Sequence, residues 1–218
     1  MTERSAADAK ADELVDLVAN VARLLSQARV NLAFDIVPSA ATIDGSLQRW
    51  RHSLPPRWTY QTVQAPPIRG RSSSHMKFYY TQVYHLYPDL WACNIWNFYR
   101  SARILLNQLI LNTAEMTGQA EHVQVRQTVV QLATEIAESV PFALRLVDNG
   151  ATELPSLDHC LGGFTILWPL YMAANTSPLG STLREWVVER LETIGNDMGI
   201  GQAQFMARTL RNTCASVP

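Results

Sequence analysis

Apolar side chains recur every three or four residues through the stretch 89–116, "DLWACNIWNFYRSARILLNQLILNTAEM". This spacing is typical of an α-helix with an apolar face, and it predicts a long helix here. Asp89 stands near its start, where a carboxylate interacts favourably with the helix dipole. Further apolar residues lie off the main stripe, so the helix is expected to be buried on more than one side. The stripe consists of Trp91, Ile95, Phe98, Ala102, Leu105 and Leu109, and the further residues are Cys93, Ile104 and Leu111.

The same periodicity appears in several other segments, and no series of strands alternates with them. The sequence therefore predicts an all-α fold, with about seven helices in a single domain. A disordered terminus is expected over residues 1–7 and the domain over residues 8–218. The other predicted helices cover 8–34, 46–54, 121–146, a segment from about 164, 182–195 and 201–211.

Composition agrees with one large buried core, since 47% of the 218 residues are hydrophobic and only 17% are charged. The net charge of −1 provides no overall field that would attract nucleic acid, so direct nucleic-acid binding is not expected. The densest basic cluster, Arg69, Arg71, His75 and Lys77, falls in a predicted loop.

The three cysteines are widely separated and form no metal-binding spacing, which favours reduced thiols in an intracellular protein of the nucleus or cytoplasm. The N-terminal residues carry acidic groups and lack the apolar core of a secretory signal. The most apolar run, "GGFTILWPLYMAA" (162–174), is shorter than a membrane span and contains Pro169. No membrane association is expected.

That run is also too hydrophobic for a typical surface helix, and its first interpretation is a core helix bent by Pro169. The second interpretation is the wall of a ligand pocket, because a bent helix leaves space beside it. Trp168 and Tyr171 would then offer an indole N–H and a phenol to a ligand.

Four prolines and a Gly/Ser tract predict an irregular loop over residues 55–75. A loop of this length within one domain is often functional. The segment that follows is rich in tyrosine and reads either as a short strand or as a helical turn. Its tyrosines, which could also form the lid of a pocket, are Tyr79, Tyr80, Tyr84 and Tyr87.

Arg100, Arg103 and Asn107 are polar exceptions on the long helix and share a stripe with Trp96. A buried guanidinium needs a carboxylate, carbonyl groups or an anionic ligand. The first interpretation is an internal ion pair with Asp89, Glu135 or Glu138, and the alternative is recognition of an acidic or carbonyl-rich small molecule. The complete set of predicted ligand-binding residues is Trp91, Trp96, Arg100, Arg103, Trp168 and Tyr171.

A catalytic or metal-binding interpretation is suggested by three histidines, His75, His85 and His159. His85 lies among the tyrosines before the long helix, and His159 follows Asp158, which could orient it. If the chain is an enzyme, the candidates for acid–base or polarising roles are His85, His159, Tyr84 and Arg100. No metal-ligand motif, phosphate-binding loop or nucleophile elbow is present, so no metal and no cofactor are expected.

Five segments, in order, resemble the C-terminal helical regulatory region of fungal zinc-cluster transcription factors over about residues 40–210. They include a Leu-Pro-Pro segment, a Trp-Asn-x-Tyr-Arg helix, an Ile-x-x-Ser-Val-Pro motif, a Gly-Gly…Trp-Pro-Leu-Tyr motif and a terminal helix pair. In this sequence they read "LQRWRHSLPPRWTY", "DLWACNIWNFYRSARILLNQLIL", "IAESVPFAL", "GGFTILWPLYMAA" and "LREWVVERLETIGNDMGIGQAQFMARTL".

The resemblance implies a regulatory domain that binds a small apolar effector or a protein partner. The family binds DNA through six clustered cysteines that hold two zinc ions, and three scattered cysteines cannot build such a cluster. A DNA-binding module is therefore not expected in this sequence. The alternative is a stand-alone, cofactor-free enzyme of secondary metabolism, of the cyclase or isomerase type, built on the same scaffold. A third hypothesis is homodimerisation through the leucine stripe of the helix at 8–34.

Overall fold

A computed structural model describes residues 2–30, 36–65, 77–117, 123–147 and 157–215. The all-α prediction is confirmed, since seven α-helices account for most of these residues and the one sheet has two short strands. The helices are α1 (Thr2–Val30), α2 (Ile36–His52), α3 (Leu90–Thr117), α4 (Val123–Ala143), α5 (Leu157–Asn175), α6 (Thr182–Asp197) and α7 (Gly201–Ala215). A 3-10 helix spans Pro56–Trp58, and the strands are β1 (Gln61–Gln64) and β2 (Val83–Leu86).

The long helix α3 lies at the centre of the fold and contacts α1, α2, α4 and α5. Asp89 caps its N-terminus, because the Oδ1 atom accepts a hydrogen bond of 2.7 Å from the backbone N–H of Ala92. Burial on more than one side is confirmed, since the residues off the main stripe are buried. The main stripe itself is partly exposed at Trp91 and Phe98, because periodicity cannot tell which of several apolar faces the neighbouring helices cover.

Helix α1 packs its leucine stripe onto α2 and α3. Leu14, Val21 and Leu24 are buried there, and the Trp50 indole donates a hydrogen bond of 2.8 Å to the Lys10 carbonyl. The feature that favoured dimerisation through this helix, an uncovered leucine stripe, is therefore absent. Homodimerisation itself stays a prediction.

Helix α2 is longer than the predicted helix at 46–54, because it already begins at Ile36. The prediction that "PSAATIDGS" interrupts the helical pattern is wrong. Pro38 falls in the first turn of α2, where a missing backbone N–H removes no intrahelical hydrogen bond.

The expected irregular loop at 55–75 contains regular structure at its beginning. The 3-10 helix and β1 lie within it, and β1 pairs antiparallel with β2 in a register that places Gln61 opposite Leu86 and Val63 opposite Tyr84. The strand interpretation of the tyrosine-rich segment is the correct one. Residues 66–76, with Arg69, Arg71 and His75, lie outside the described residues.

Helix α5 contains the run that opens with two glycines, and both glycines permit close packing. A Cβ atom on Gly162 would overlap the backbone carbonyl oxygen of Ala143 at the end of α4, and one on Gly163 would overlap the Met198 sulfur. The prediction of a core helix holds for one side of α5. It is wrong for the other side, where Phe164 and Trp168 are about half exposed.

None of the helices that the structure describes combines the length and apolarity needed to cross a membrane. Within the same residues, no group of three His, Cys, Asp or Glu side chains is arranged to hold a metal ion.

Candidate functional site

The predicted site residue Arg100 lies between α3, α4 and the hairpin, with its side chain 0% exposed. Its Nε donates to Glu135 Oε2 at 3.1 Å. Its Nη1 donates to the Tyr87 hydroxyl at 2.7 Å and to Asn97 Oδ1 at 3.0 Å. Arg100 is therefore paired internally, and Glu135 is one of the three carboxylates that the sequence suggested.

Aromatic rings enclose the Arg100 guanidinium. Its central carbon lies 4.9 Å from the ring centre of Tyr60, 5.5 Å from that of Trp96 and 5.9 Å from that of Tyr87. Rings at these distances attract a cation and stabilise it where water is excluded. We refer to Arg100 with these three rings as the arginine cluster. Protein atoms occupy the directions from which a ligand would approach the guanidinium.

His85 lies at the edge of the arginine cluster with 3% of its surface exposed. Its Nδ1 faces the Arg100 Nη2 at 3.4 Å and the Tyr87 hydroxyl at 3.3 Å, and its Nε2 lies 3.3 Å from Glu138 Oε2. Because arginine can only donate, Nδ1 acts as an acceptor and the proton belongs on Nε2, the nitrogen that lies near the Glu138 carboxylate.

Burial, and then the positive charge of Arg100, lower the pKa of His85 from 6.5 to about 3. Burial raises the pKa of Tyr87 well above its usual value, and that of the Cys93 thiol to about 12. Burial also raises the pKa of Glu138, which accepts a hydrogen bond of 2.9 Å from the Thr81 hydroxyl.

These values bear directly on the enzymatic alternative. A general base works best with a pKa near the operating pH and with access to a substrate proton. His85 has neither, because its pKa is about 3 and both ring nitrogens face protein groups. The surroundings of His85 and Arg100 therefore suit a structural core network better than an acid–base site.

The remaining catalytic candidates lie elsewhere. Tyr84 and His85 are neighbours on β2, so their side chains lie on opposite faces of the hairpin. Tyr84 contacts the ring of Tyr79 at 5.6 Å and is half-buried. The side chain of His159 lies outside the described residues, although its backbone belongs to α5.

The predicted ligand-binding residues separate into four places. Trp96 belongs to the arginine cluster, and its indole donates a hydrogen bond of 2.8 Å to the Trp58 carbonyl. Trp91 is partly exposed and contacts the Trp58 ring edge-to-face at 4.8 Å. Trp168 and Tyr171 stack on each other at 6.0 Å along α5.

Arg103 forms the fourth place, where it links α2 to α3. Its Nε and Nη2 donate to the two carboxylate oxygens of Asp44 at 2.6 and 3.0 Å, and its Nη1 donates to the Tyr99 hydroxyl at 3.2 Å. This bidentate pair holds α2 against α3. The sequence predicted the need for a partner but did not identify Asp44, because α2 was expected to begin after it.

The outward side of α5 is an apolar strip on the protein surface. Leu161 is 51% exposed, Phe164 55% and Trp168 46%, while Tyr171 is half-buried. We call these four residues the α5 stripe. They are spaced by three, four and three residues and therefore share one face of the helix. The larger apolar patches on the surface of monomeric proteins are often functional.

A cavity of about 420 Å³ lies between α6 and α7, away from all the predicted residues. Among its lining residues, Arg184 is buried and donates to the Ala174 carbonyl at 2.9 Å and to the Leu210 carbonyl at 2.9 Å. These carbonyls belong to the C-terminal halves of α5 and α7, whose dipoles favour a positive charge. Val188 supplies an apolar wall, and Glu185 lies at the exposed rim.

Sequence reasoning missed Arg184, although a signal was present. Arg184 stands three residues before Val187 and seven before Leu191, so it shares their buried face. An arginine at such a position predicts a buried cation that needs carbonyl or carboxylate partners. Tyr60 and Tyr87 of the arginine cluster were less accessible to prediction, because the pairing of the hairpin decides which way they face.

The chain is similar to a fungal protein. It is 31% identical over 133 residues to the transcription factor dbaG of Emericella nidulans, in an alignment that covers 57% of this chain and 32% of the relative. The chain therefore spans about a third of the length of the curated relative that it matches. No family model and no solved structure matches the chain.

Proposed function

We propose that this chain, which is similar to a fungal transcription factor, is a regulatory helical domain that binds a protein partner at its surface. The transcription-factor-like relationship rests on the similarity to the relative. The finer proposal concerns the place of recognition, which the sequence analysis expected to be an enclosed, aromatic-lined pocket.

The observation that carries the proposal is the closure of the arginine cluster. Arg100 is 0% exposed, and its donors are used by Glu135, Tyr87 and Asn97. A ligand that binds Arg100 would have to displace the aromatic rings of the arginine cluster and break the hydrogen bonds of the guanidinium. Large apolar side chains are uncovered on the outside of the fold instead, and this favours recognition of another macromolecule.

The experiment that tests regulation is a reporter assay in fungal cells. The chain is fused to an unrelated DNA-binding module, and transcription is compared with that from the module alone. We expect a change of at least severalfold. Arg100→Met, which should destabilise the domain, is expected to weaken the change, and the surface substitution Phe205→Ser should preserve it. An unchanged reporter with a folded wild-type fusion would contradict the proposal.

Small-effector binding is the second candidate, and the cavity between α6 and α7 favours it. Its volume of about 420 Å³ lies within the usual size range of small-molecule sites. Glu185→Trp would place an indole at the exposed rim and fill part of the space. An effector that binds here should raise the melting temperature of the wild type but not that of this variant. An equal rise in melting temperature for both proteins would exclude the cavity as the effector-binding site.

A further inference from the structure

We propose that the α5 stripe docks one amphipathic helix of a partner polypeptide. This inference rests on the proposed function and specifies where the partner binds and what its contact surface contains. The stripe is an interaction surface of a defined shape, because it is one residue wide, follows one face of α5 and is apolar.

The stripe has the dimensions of a helix–helix contact. From Leu161 to Tyr171 it advances ten residues, or about 15 Å along the axis of α5. Residues 160–175 contain no Asp, Glu, Lys or Arg, so no charge interrupts it. The Trp168 and Tyr171 rings stack with an angle of 24° between their planes. The two rings therefore form one continuous apolar surface beside Phe164.

The exposed area decides between a single helix and a larger partner. A large side chain that is half exposed leaves roughly 100 Å² uncovered, so Leu161, Phe164 and Trp168 together expose about 300 Å². A stable dimer of globular proteins usually buries about 800 Å² on each partner. The stripe is too small for such an interface on its own, but it matches the apolar face of one helix with side chains at i, i+3 or i+4, and i+7.

The printed sequence offers little that could cover the stripe from within the chain. Spanning about 15 Å in helical form takes at least ten residues. Of the internal segments between the described residues, only 66–76 reaches this length, and it begins with two prolines and contains a Gly/Ser tract. Such a sequence lacks the apolar periodicity of an amphipathic helix. A helix from outside residues 1–218 is therefore the better occupant.

A site-specific cross-link tests the proposal directly. The photoreactive residue p-benzoylphenylalanine is placed at position 164 of the full chain in living cells, and cross-linked peptides are mapped by mass spectrometry. The matched control is position 205, because Phe205 is 64% exposed but lies on α7. We expect a cross-link from position 164 to the apolar face of a helix in another protein. A cross-link to a second copy of this chain, a cross-link to a non-helical segment, or no product above the control would each overturn the proposal.

The reporter assay separates this inference from the proposed function. Phe164→Ser and Trp168→Ser should each reduce the reporter effect at least tenfold, since removal of a central aromatic anchor usually dominates the loss of binding. Phe205→Ser should leave the effect unchanged. Circular dichroism melting should be the same for all three variants, because these side chains are already exposed. If all three variants remain active, the α5 stripe is not the docking surface, and the proposed regulatory function is unaffected. If the wild-type fusion is inactive, the regulatory function fails and the cross-link still decides the inference.

Discussion

Arg100 is a buried cation whose hydrogen-bond partners come from three different elements of the fold. Replacing it with methionine keeps much of the side-chain volume but removes the hydrogen bonds that Arg100 donates to Glu135, Asn97 and the Tyr87 hydroxyl. Breaking a buried ion pair from one side typically costs about 3–5 kcal/mol. We therefore expect Arg100→Met to lower the free energy of unfolding by about this amount, as measured by urea denaturation.

Arg211 provides the matched control for this prediction. It also forms an ion pair, with Glu192 at 2.8 Å, but both side chains are largely exposed. Exposed pairs contribute at most about 1 kcal/mol, so Arg211→Met should have a small effect. Similar losses in the two variants would show that the burial of Arg100 does not control the stability of the domain.

The pKa of His85 predicts an acid-sensitive fold. His85 titrates near 6.5 when the chain is unfolded and near 3 when it is folded, so the unfolded chain binds an extra proton between these values. The contribution of neutral His85 is complete above about pH 6.5 and is lost as the pH falls, at about 1.4 kcal/mol per pH unit. Glu138, whose pKa burial raises, acts in the opposite direction.

The measurement is the stability of the wild type and of His85→Gln between pH 7 and pH 4. Glutamine cannot titrate, so the free energy of unfolding of the variant should fall less steeply with decreasing pH. The difference between the two slopes should correspond to close to one bound proton. The slope isolates the titration of His85 even if the substitution lowers stability at every pH. Parallel curves for the two proteins would contradict the neutral, buried state of this imidazole.

Single residues were predictable where their chemistry demanded a partner. The sequence identified Arg100 as a cation that needs a carboxylate and named Glu135 among the candidates, because burial of an unpaired guanidinium is costly. It could not place Trp168. A large aromatic ring is usually buried, and only the arrangement of the surrounding helices leaves this one half exposed.

At the scale of single helices, replacing a glycine by alanine is expected to change stability in opposite directions at two positions. Gly162→Ala places a methyl group against the Ala143 carbonyl oxygen, so α5 must move away from α4. We expect a loss of about 2 kcal/mol or more, in the range of overpacked cores. Gly45 lies in α2, where a Cβ atom meets only the Arg49 Nη1 at 3.6 Å. Gly45→Ala should therefore stabilise the protein by up to about 1 kcal/mol.

Thermal and chemical unfolding of the two variants provide the measurement. Because the substitution is chemically the same, helix propensity alone would favour alanine at both sites. A stabilised Gly162→Ala protein would mean that α4 and α5 are not in the close contact described here.

The elements themselves were predictable to different degrees. Helix α3 was found nearly to its ends, because its apolar periodicity is long and Asp89 caps it. The start of α2 was missed, because Pro38 and Gly45 resemble a loop in sequence although both positions tolerate a helix. The pairing of the two strands was ambiguous, because each strand has only four residues and the paired residues lie 19 to 25 positions apart in the sequence.

At the scale of the whole molecule, α1 should be required for folding of the remainder. A chain that begins at Ile36 would expose the surfaces of α2 and α3 that now contact Leu14, Val21 and Leu24, and Trp50 would lose its hydrogen bond to Lys10. We expect the shortened chain to lose its cooperative unfolding transition and to bind a hydrophobic dye. Calorimetry and dye fluorescence check this.

The opposite outcome has a clear meaning. A shortened chain that stays folded and monomeric would show that α1 is an appendage, and its leucine stripe would again be available to a partner. Cooperative unfolding of the complete chain is expected in either case, because one continuous core joins all seven helices of the described residues.

The two hydrogen bonds of Arg184 have a mechanical consequence. One Nη atom of this guanidinium donates to the Ala174 carbonyl in the last turn of α5, and the other donates to the Leu210 carbonyl in the C-terminal half of α7. The backbone of Arg184 belongs to α6. If a bound partner pushes α5 along its axis, Arg184 must either follow or release a carbonyl inside the protein, which is costly. Because the same side chain also binds the Leu210 carbonyl, a displacement of α5 would place strain on its link to α7.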